Sequence, residues 1–287
     1  MDTELNTTGK IRHMIRLVRI LLVLAILFVP RFAFATWSVV ALDARTGQIV
    51  VASATCVTGA NLERRAPPFG LRSIQAIVVP GKAAAVAQAN VDASFSNQKL
   101  IYDELRKGTK PKEIVRLLSS DPAFESRQFG IIDMKGGAAA HSGALNEASI
   151  LHRQGQVPGE PIYYSIQGNI LANDDVVLEA VKAFIANRGE LTDRVMAAME
   201  AADALGGDKR CSCDSMPKTN APCVTKTSHV AYILLAEKTD TNKATFNDGD
   251  YAMFIPVTEG DIKPDEDGNP VKTLRLRYNA WKKAARP

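Results

Sequence analysis

Thr36 is the residue with the most chemistry within reach. A chain that begins with Thr holds a nucleophile and a base on one residue. The hydroxyl can attack an acyl carbon, and a free α-amino group, with pKa about 7.7–8.0, can take its proton near neutral pH. Thr36 becomes a first residue if the chain is cut after Ala33-Phe34-Ala35. The plain alternative is a Thr that merely opens a strand.

Other residues can complete such a site. An acyl-transfer site needs fixed donors for the oxyanion. Asn169, in the Gln167-Gly168-Asn169 segment read as a turn, can supply a side-chain amide, and Gly168 a backbone N–H. Gln167 and Asn90 are candidates for holding substrate. Ser53 is expected to face Thr36 across the first hairpin. Asp208 and Lys209 follow Gly206-Gly207, where the backbone can approach closely. One would orient the α-amino group, and the other would lower its pKa. Gln-Gly-Asn is equally a good turn and Gly-Gly-Asp a good helix exit. His141, following a strand, is a weaker candidate.

The cysteines are Cys56, Cys211, Cys213 and Cys223. In an exported chain they are disulfide candidates, with one pair expected among Cys211, Cys213 and Cys223. Four cysteines allow three complete connectivities, and sequence does not choose among them. A metal site would need Cys211, Cys213, Cys223 and His229, whose spacing matches no standard zinc pattern. Asp261 to Asp267 resembles a calcium loop only in acidity. No phosphate loop, dinucleotide fingerprint or Gly-x-Ser-x-Gly elbow occurs, so no cofactor is expected.

The chain has 287 residues, 46% hydrophobic and 23% charged, ordinary values for a globular protein. Aromatics are 6%, which argues against an aromatic nucleic-acid platform. Lys10, Arg12, Arg16, Arg19 and Arg31 against Asp2 and Glu4 give residues 1–35 a net +3, leaving +1 of the formal +4 for the rest. No basic patch remains to suggest a nucleic-acid partner. Ile20 to Val29 is an apolar run of ten, short of the roughly 20 that span a bilayer. A basic stretch, a short apolar run and Ala-Phe-Ala together have the layout of a secretory signal peptide. Residues 1–35 are read as that leader and 36–287 as a single exported domain. Retention of the leader as an uncleaved anchor is the alternative.

The elements that must position these residues follow from periodicity. Thr36 to Asp43 and Gln48 to Thr55 read as a strand hairpin around Ala44-Arg45-Thr46-Gly47. Cys56 to Pro68 reads as a loop. Ser73 to Val79 and Ala83 to Ala89 form a second hairpin. Ser94 to Lys107 is helical, and Pro111 opens a second helix running to Ser119. Arg127 to Asp133, Ala138 to Ser142 and Ile162 to Gln167 are strands. Asp174 to Asn187, capped by Asn173, and Glu190 to Leu205 are amphipathic helices. Ser228 to Glu237 and Tyr251 to Val257 are strands, and a basic segment follows Val271. Strands in hairpins argue against a doubly wound parallel sheet. The expectation is an α+β four-layer sandwich of two antiparallel sheets, with helices outside each.

The segments TWSVVALDARTGQIVVASAT, QANVDASFSNQKLIYDELRKG, RQFGIIDMKGGAAAHSGA, YYSIQGNILANDDVVLEAVKAF and AMEAADALGGDKR resemble, in this order, one family. It is the Ntn-hydrolase-like family catalogued as domain of unknown function number 1028. The resemblance covers residues 36–210 well and the part from 240 onward loosely. It implies an α-β-β-α sandwich and a chain that starts at its first strand, usually with Thr. Against the family pattern, residues 211–227 look like a cysteine-containing insertion beside Asp208. By analogy the expected function is an exported hydrolase of an amide or related acyl bond. The alternative is a non-catalytic envelope protein that keeps the sandwich and binds a ligand; that some relatives of the family are joined to peptidoglycan-binding modules points to a peptidoglycan-derived one. Self-assembly into a homo-oligomer is compatible with either.

Overall fold

The hairpin that begins at Thr36 sits in the middle of the larger of two sheets. The structure, a computed structural model, describes residues 36–91 and 94–284. The expected leader, residues 1–35, lies outside the described residues. Strand β1 (Thr36–Asp43) pairs with β2 (Gln48–Thr55) on one side. The turn between them needs a left-handed residue, and Gly47 supplies it at φ +80°. On the other side β1 pairs with β8 (Ile162–Asn169), which pairs in turn with β7 (Leu151–Gln156). Beyond β2 come β9 (Val230–Ala236) and β10 (Met253–Thr258). The six-stranded order is β10-β9-β2-β1-β8-β7.

The second sheet has four strands in sequence order: β3 (Ala76–Val79), β4 (Ala83–Ala89), β5 (Arg127–Asp133) and β6 (Ala138–Ser142). All named pairings are antiparallel.

Alternation along β1 builds the layers. Trp37, Val39 and Ala41 point to a core shared with α5 (Asp175–Ala186), α6 (Leu191–Ala204) and α7 (Pro270–Ala284). Val40 and Leu42 point the other way, into a core shared with the four-stranded sheet. The outer face of that sheet is covered by α3 (Ser96–Lys107) and α4 (Pro111–Leu118), through Ile101, Leu105, Ile114 and Leu118. The result is the expected helix–sheet–sheet–helix sandwich.

Several elements depart from expectation. The loop read after Cys56 contains helix α1 (Gly59–Arg65), started by Thr58, whose side chain accepts from the Asn61 N–H. The strand read from Ser73 begins as helix α2 (Leu71–Gln75) and becomes β3 only at Ala76. Leu62, Leu71 and Ile74 of these two helices join the inter-sheet core. They cover the inner side of β9 and β10, where six strands face only four. Strand β7 is not foreseen, because LHRQGQ is a partly exposed edge strand without apolar alternation. Helix α7 replaces what reads only as a basic tail. Asn173 does not cap α5: Asp174 holds the N-cap position with no side-chain cap bond. Helix α6 opens on a reciprocal Glu190–Asp193 capping box.

Candidate active site at the start of the first strand

The space between the sheets is apolar toward the end of β1 and polar toward its beginning. Val40, Leu42, Ile49, Val51, Ala84, Val86 and Ile132 fill the apolar half. Toward Thr36 the inward positions carry Ser38, Gln88, Gln128, Gln167 and Asn169, all buried. Buried polar atoms are tolerable only when paired, and these pair with one another.

Gln88 is the hub. Its Oε1 accepts from Ser38 Oγ at 2.7 Å and from Gln75 Nε2 at 2.6 Å. Its Nε2 donates to Gln128 Oε1 at 2.6 Å and to the Thr36 carbonyl at 3.2 Å. Gln128 Nε2 donates to the Gly168 carbonyl at 2.9 Å, and Gln128 Oε1 accepts from Asn169 Nδ2 at 3.1 Å. Gln167 Nε2 donates to Ser38 Oγ at 2.6 Å. Gly130 of β5 makes room, since a Cβ there would lie 2.1 Å from Gln167 Oε1. The layer joins both sheets and holds the main chain of Thr36.

Thr36 is 1% exposed. In register it faces Thr55 of β2 on one side and Asn169 of β8 on the other. Asn169 is the sequence candidate that lies beside it. Its Nδ2 is committed to Gln128, so it does not stand ready as an oxyanion donor. Its Oδ1, by contrast, is buried and without a hydrogen-bond partner.

The other candidates fall out differently. Ser53 does not face Thr36; it lies opposite Ser38, and its hydroxyl donates to the Trp37 carbonyl at 2.7 Å. The hairpin register gives the place across from Thr36 to Thr55. Gln167-Gly168-Asn169 is not a turn. Strand β8 runs through Asn169, and the chain turns at Ile170, φ +53°. Gly168 is paired on both sides, with Trp37 and with Leu151, so its place is in the sheet rather than at a turn's free N–H. Gln167 belongs to the polar layer. Asn90 is tied to a corner, its Nδ2 reaching Ser126 Oγ at 3.3 Å and its carbonyl taking a bond from Arg127. His141 stacks on Phe124 with ring centroids 3.6 Å apart.

Asp208 and Lys209 are separated in role. The Asp208 side chain is fully buried. Its carboxylate accepts from the Cys56 N–H at 2.9 Å and forms a two-pronged pair with Arg210, at 3.0 and 2.8 Å. It ties the end of β2 to the segment after α6. Lys209 is exposed and its Nζ donates to the Ala148 carbonyl at 2.8 Å, so it does not join Asp208.

The disulfides reinforce the same junction. Cys56 pairs with Cys211, and Cys213 with Cys223. The second pair lies within the expected set, while the partner of Cys56 was not foreseen. With all four cysteines oxidised, none is left as a thiolate to bind a metal.

One group was missed as an ionisable site. The backbone N–H of His229 donates to the Thr55 carbonyl at 2.7 Å. His229 is 3% exposed, and its Nδ1 has no partner. Burial, with Lys226 and Arg210 nearby, pushes its pKa down to about 4. Glu259 is buried close by, its carboxylate accepting from the Gly59 N–H at 2.9 Å, and burial pushes its pKa up. Lys226 is pushed down by burial. The end of β2 thus carries a neutral imidazole two strands from Thr36. A His that directly precedes an apolar strand was the available signal.

The model of the family of unknown function DUF1028 matches residues 36–217, and the chain belongs to that family. Among solved structures, the protein SPO2555 from Silicibacter pomeroyi, also of this family, is similar. It is 20% identical with a TM-score of 0.61, over 86% of this chain and 88% of that one. That likeness shows a shared fold. No curated protein matches the chain.

Proposed function

We propose that this DUF1028 member is an exported N-terminal-nucleophile hydrolase that cleaves an amide or related acyl bond. Thr36 becomes its first residue when the leader is removed after Ala35. The observation that carries the reading is the pairing of Thr36 with Asn169 at the polar end of the sandwich, where a buried amide oxygen lacks a partner. The family match also begins at Thr36.

The chemistry follows from those groups. The freed α-amino group of Thr36 takes the proton of its own hydroxyl as Oγ bonds to the acyl carbon. The Asn169 Oδ1 accepts an N–H of that amine and orients its lone pair toward Oγ. The protonated amine then gives its proton to the leaving nitrogen as the acyl bond breaks. Water attacks the resulting ester and releases the acid, restoring the hydroxyl. Asp208 serves this site indirectly, by holding the end of β2 through Cys56. Thr55 and Asn169 flank the nucleophile, and the Gln88–Gln128 layer fixes its main chain. Lys209 and Ser53 have no part in the step. The reading invokes no cofactor. The two disulfides fit an oxidising compartment.

The test starts with the intact mass of untagged protein recovered from an exporting host. A mass beginning at Thr36, and labelling by an acylating probe that Thr36→Ala abolishes, supports the hydrolase. A mass that retains the leader removes the base and with it the mechanism. Ligand binding that persists in Thr36→Ala without labelling of the native protein would establish the envelope-binding alternative.

A further inference from the structure

Where the four-stranded sheet ends, α1 and α2 stand off from β9 and β10 and leave a cavity of about 400 Å³, a size suited to a small ligand. Its walls are mostly apolar: Leu62, Phe69, Leu71, Tyr232 and Phe254. Arg72 also lines it. Arg72 is 3% exposed and forms no salt bridge among the described residues. Its guanidinium lies 4.1–4.7 Å from the ring centroids of Phe69, Tyr251 and Phe254. Its Nε and Nη2 donate to the Asn247 and Gly249 carbonyls, and the Tyr251 side chain is also hydrogen-bonded to the guanidinium. Asp248, whose charge reaches it, is occupied by the N–H groups of Lys243, Ala244 and Thr245. The positive charge therefore stands in an apolar wall against carbonyl dipoles and ring faces, with no carboxylate in a salt bridge to it among the described residues. Two acids lie on the exposed side of the cavity, and one of them, Asp261, is already paired with Arg277 at 2.9 Å.

The cavity lies on the inner face of the large sheet, the face that carries Thr36. Val230 lines it, Val230 pairs with Thr55, and Thr55 pairs with Thr36. Two strand spacings make that roughly 10 Å.

We propose that this cavity binds a small organic carboxylate with an apolar body, an aromatic ring or a short chain, its carboxylate directed at Arg72. Ring faces and aliphatic walls take the body, and the guanidinium takes the charge. That the same cavity holds one end of the substrate, which would then carry a free carboxylate about 10 Å from the scissile bond, rests on the proposed function; binding of the carboxylate does not.

The experiment is calorimetric titration of the full chain, native and Thr36→Ala, with 4-phenylbutyrate and with 4-phenylbutyramide. The carboxylate is expected to bind saturably, and the neutral amide about tenfold more weakly, since a bond to a charged group is at stake. Gly260 also lines the cavity, and a Cβ there meets only Thr258 Oγ1 at 3.8 Å. The Cβ of Gly260→Trp therefore meets no clash, and its ring, directed at the cavity, should abolish binding of the carboxylate at a melting temperature close to the native one. No saturable binding, equal binding of acid and amide, or undiminished binding by Gly260→Trp overturns the proposal. Binding in Thr36→Ala that equals the native protein's, in a chain never labelled at Thr36, upholds the cavity and sinks only the hydrolase.

Discussion

The side-chain amides of Gln88 and Gln128 meet at 2.6 Å between register-paired positions of β4 and β5. Through that contact the small sheet grips the large one, because Gln88 also holds the Thr36 carbonyl and Gln128 the Gly168 carbonyl. Gln128→Leu keeps the volume close and removes both functions. It strands Asn169 Nδ2 and takes a donor from the Gly168 carbonyl in a dry interior. The expected cost is about 2–3 kcal/mol, read from denaturant unfolding, since the stranded amide carries its full desolvation penalty and the carbonyl loses a bond. A loss below about 1 kcal/mol would mean that water replaces the amide.

Gly130 is required by the same layer for space alone. A Cβ would sit 2.1 Å from Gln167 Oε1 and 2.6 Å from Ser165 Oγ. Gly130→Ala should therefore cost about 2 kcal/mol, the order expected for overpacking a full core. Gly260→Ala, where a Cβ meets one atom at 3.8 Å, should stay within about 0.5 kcal/mol of the native protein. Equal stabilities for the two variants would remove the argument that the layer is tightly packed.

These sites were unevenly legible. The β1–β2 hairpin reads to the residue, because alternation and a Gly turn both point to it. Its register was also within reach: closing the hairpin at Asp43 and Gln48 puts Thr55, not Ser53, across from Thr36. The polar layer is a parity signal. Gln88 and Gln128 occupy inward positions of otherwise apolar strands, but which strand faces which is settled only by the packing of the sheets. Strand β7 carries no signal, since an edge strand buries too little to need alternation. Helix α7 does carry one, Pro270 followed by Val271, Leu274 and Tyr278 on one face, masked by its many cations. The Cys56–Cys211 pair spans 155 residues, and no local pattern encodes a contact at that distance.

That span has an energetic consequence. Cross-linking restricts the unfolded chain more the longer the loop it closes. For separations of 155 and 10 residues the chain-entropy argument gives about 5 and about 3 kcal/mol. The double variant Cys56→Ser/Cys211→Ser should thus be less stable than Cys213→Ser/Cys223→Ser by about 2 kcal/mol in denaturant unfolding. It should also loosen the Asp208–Cys56 bond that holds the end of β2. The reverse order of stabilities would sink both statements.

His229 makes the stability of the fold depend on pH in a definite direction. His229 is buried with Nδ1 unpartnered, and burial pushes its pKa down to about 4. In the unfolded chain it titrates near 6.5. As the pH falls from about 6.5 to about 4, the unfolded state takes up a proton that the folded state refuses. Stability is therefore lost over that window, by about 3 kcal/mol in full, and is untouched above it. Lys226 and Arg210 push in the same sense, as cations near the ring. Glu259 opposes it: burial raises its pKa, so the fold takes up that proton first and gains as the pH falls. The native curve alone would mix the two. The difference between the native protein and His229→Gln isolates the imidazole, and it should shrink toward acid by about 3 kcal/mol between pH 7 and pH 4. Proton NMR gives the independent reading: the His229 ring should show no titration above about pH 5. A ring that titrates near 6.5, with parallel stability curves for the two proteins, would place the His229 ring in water rather than in the interior.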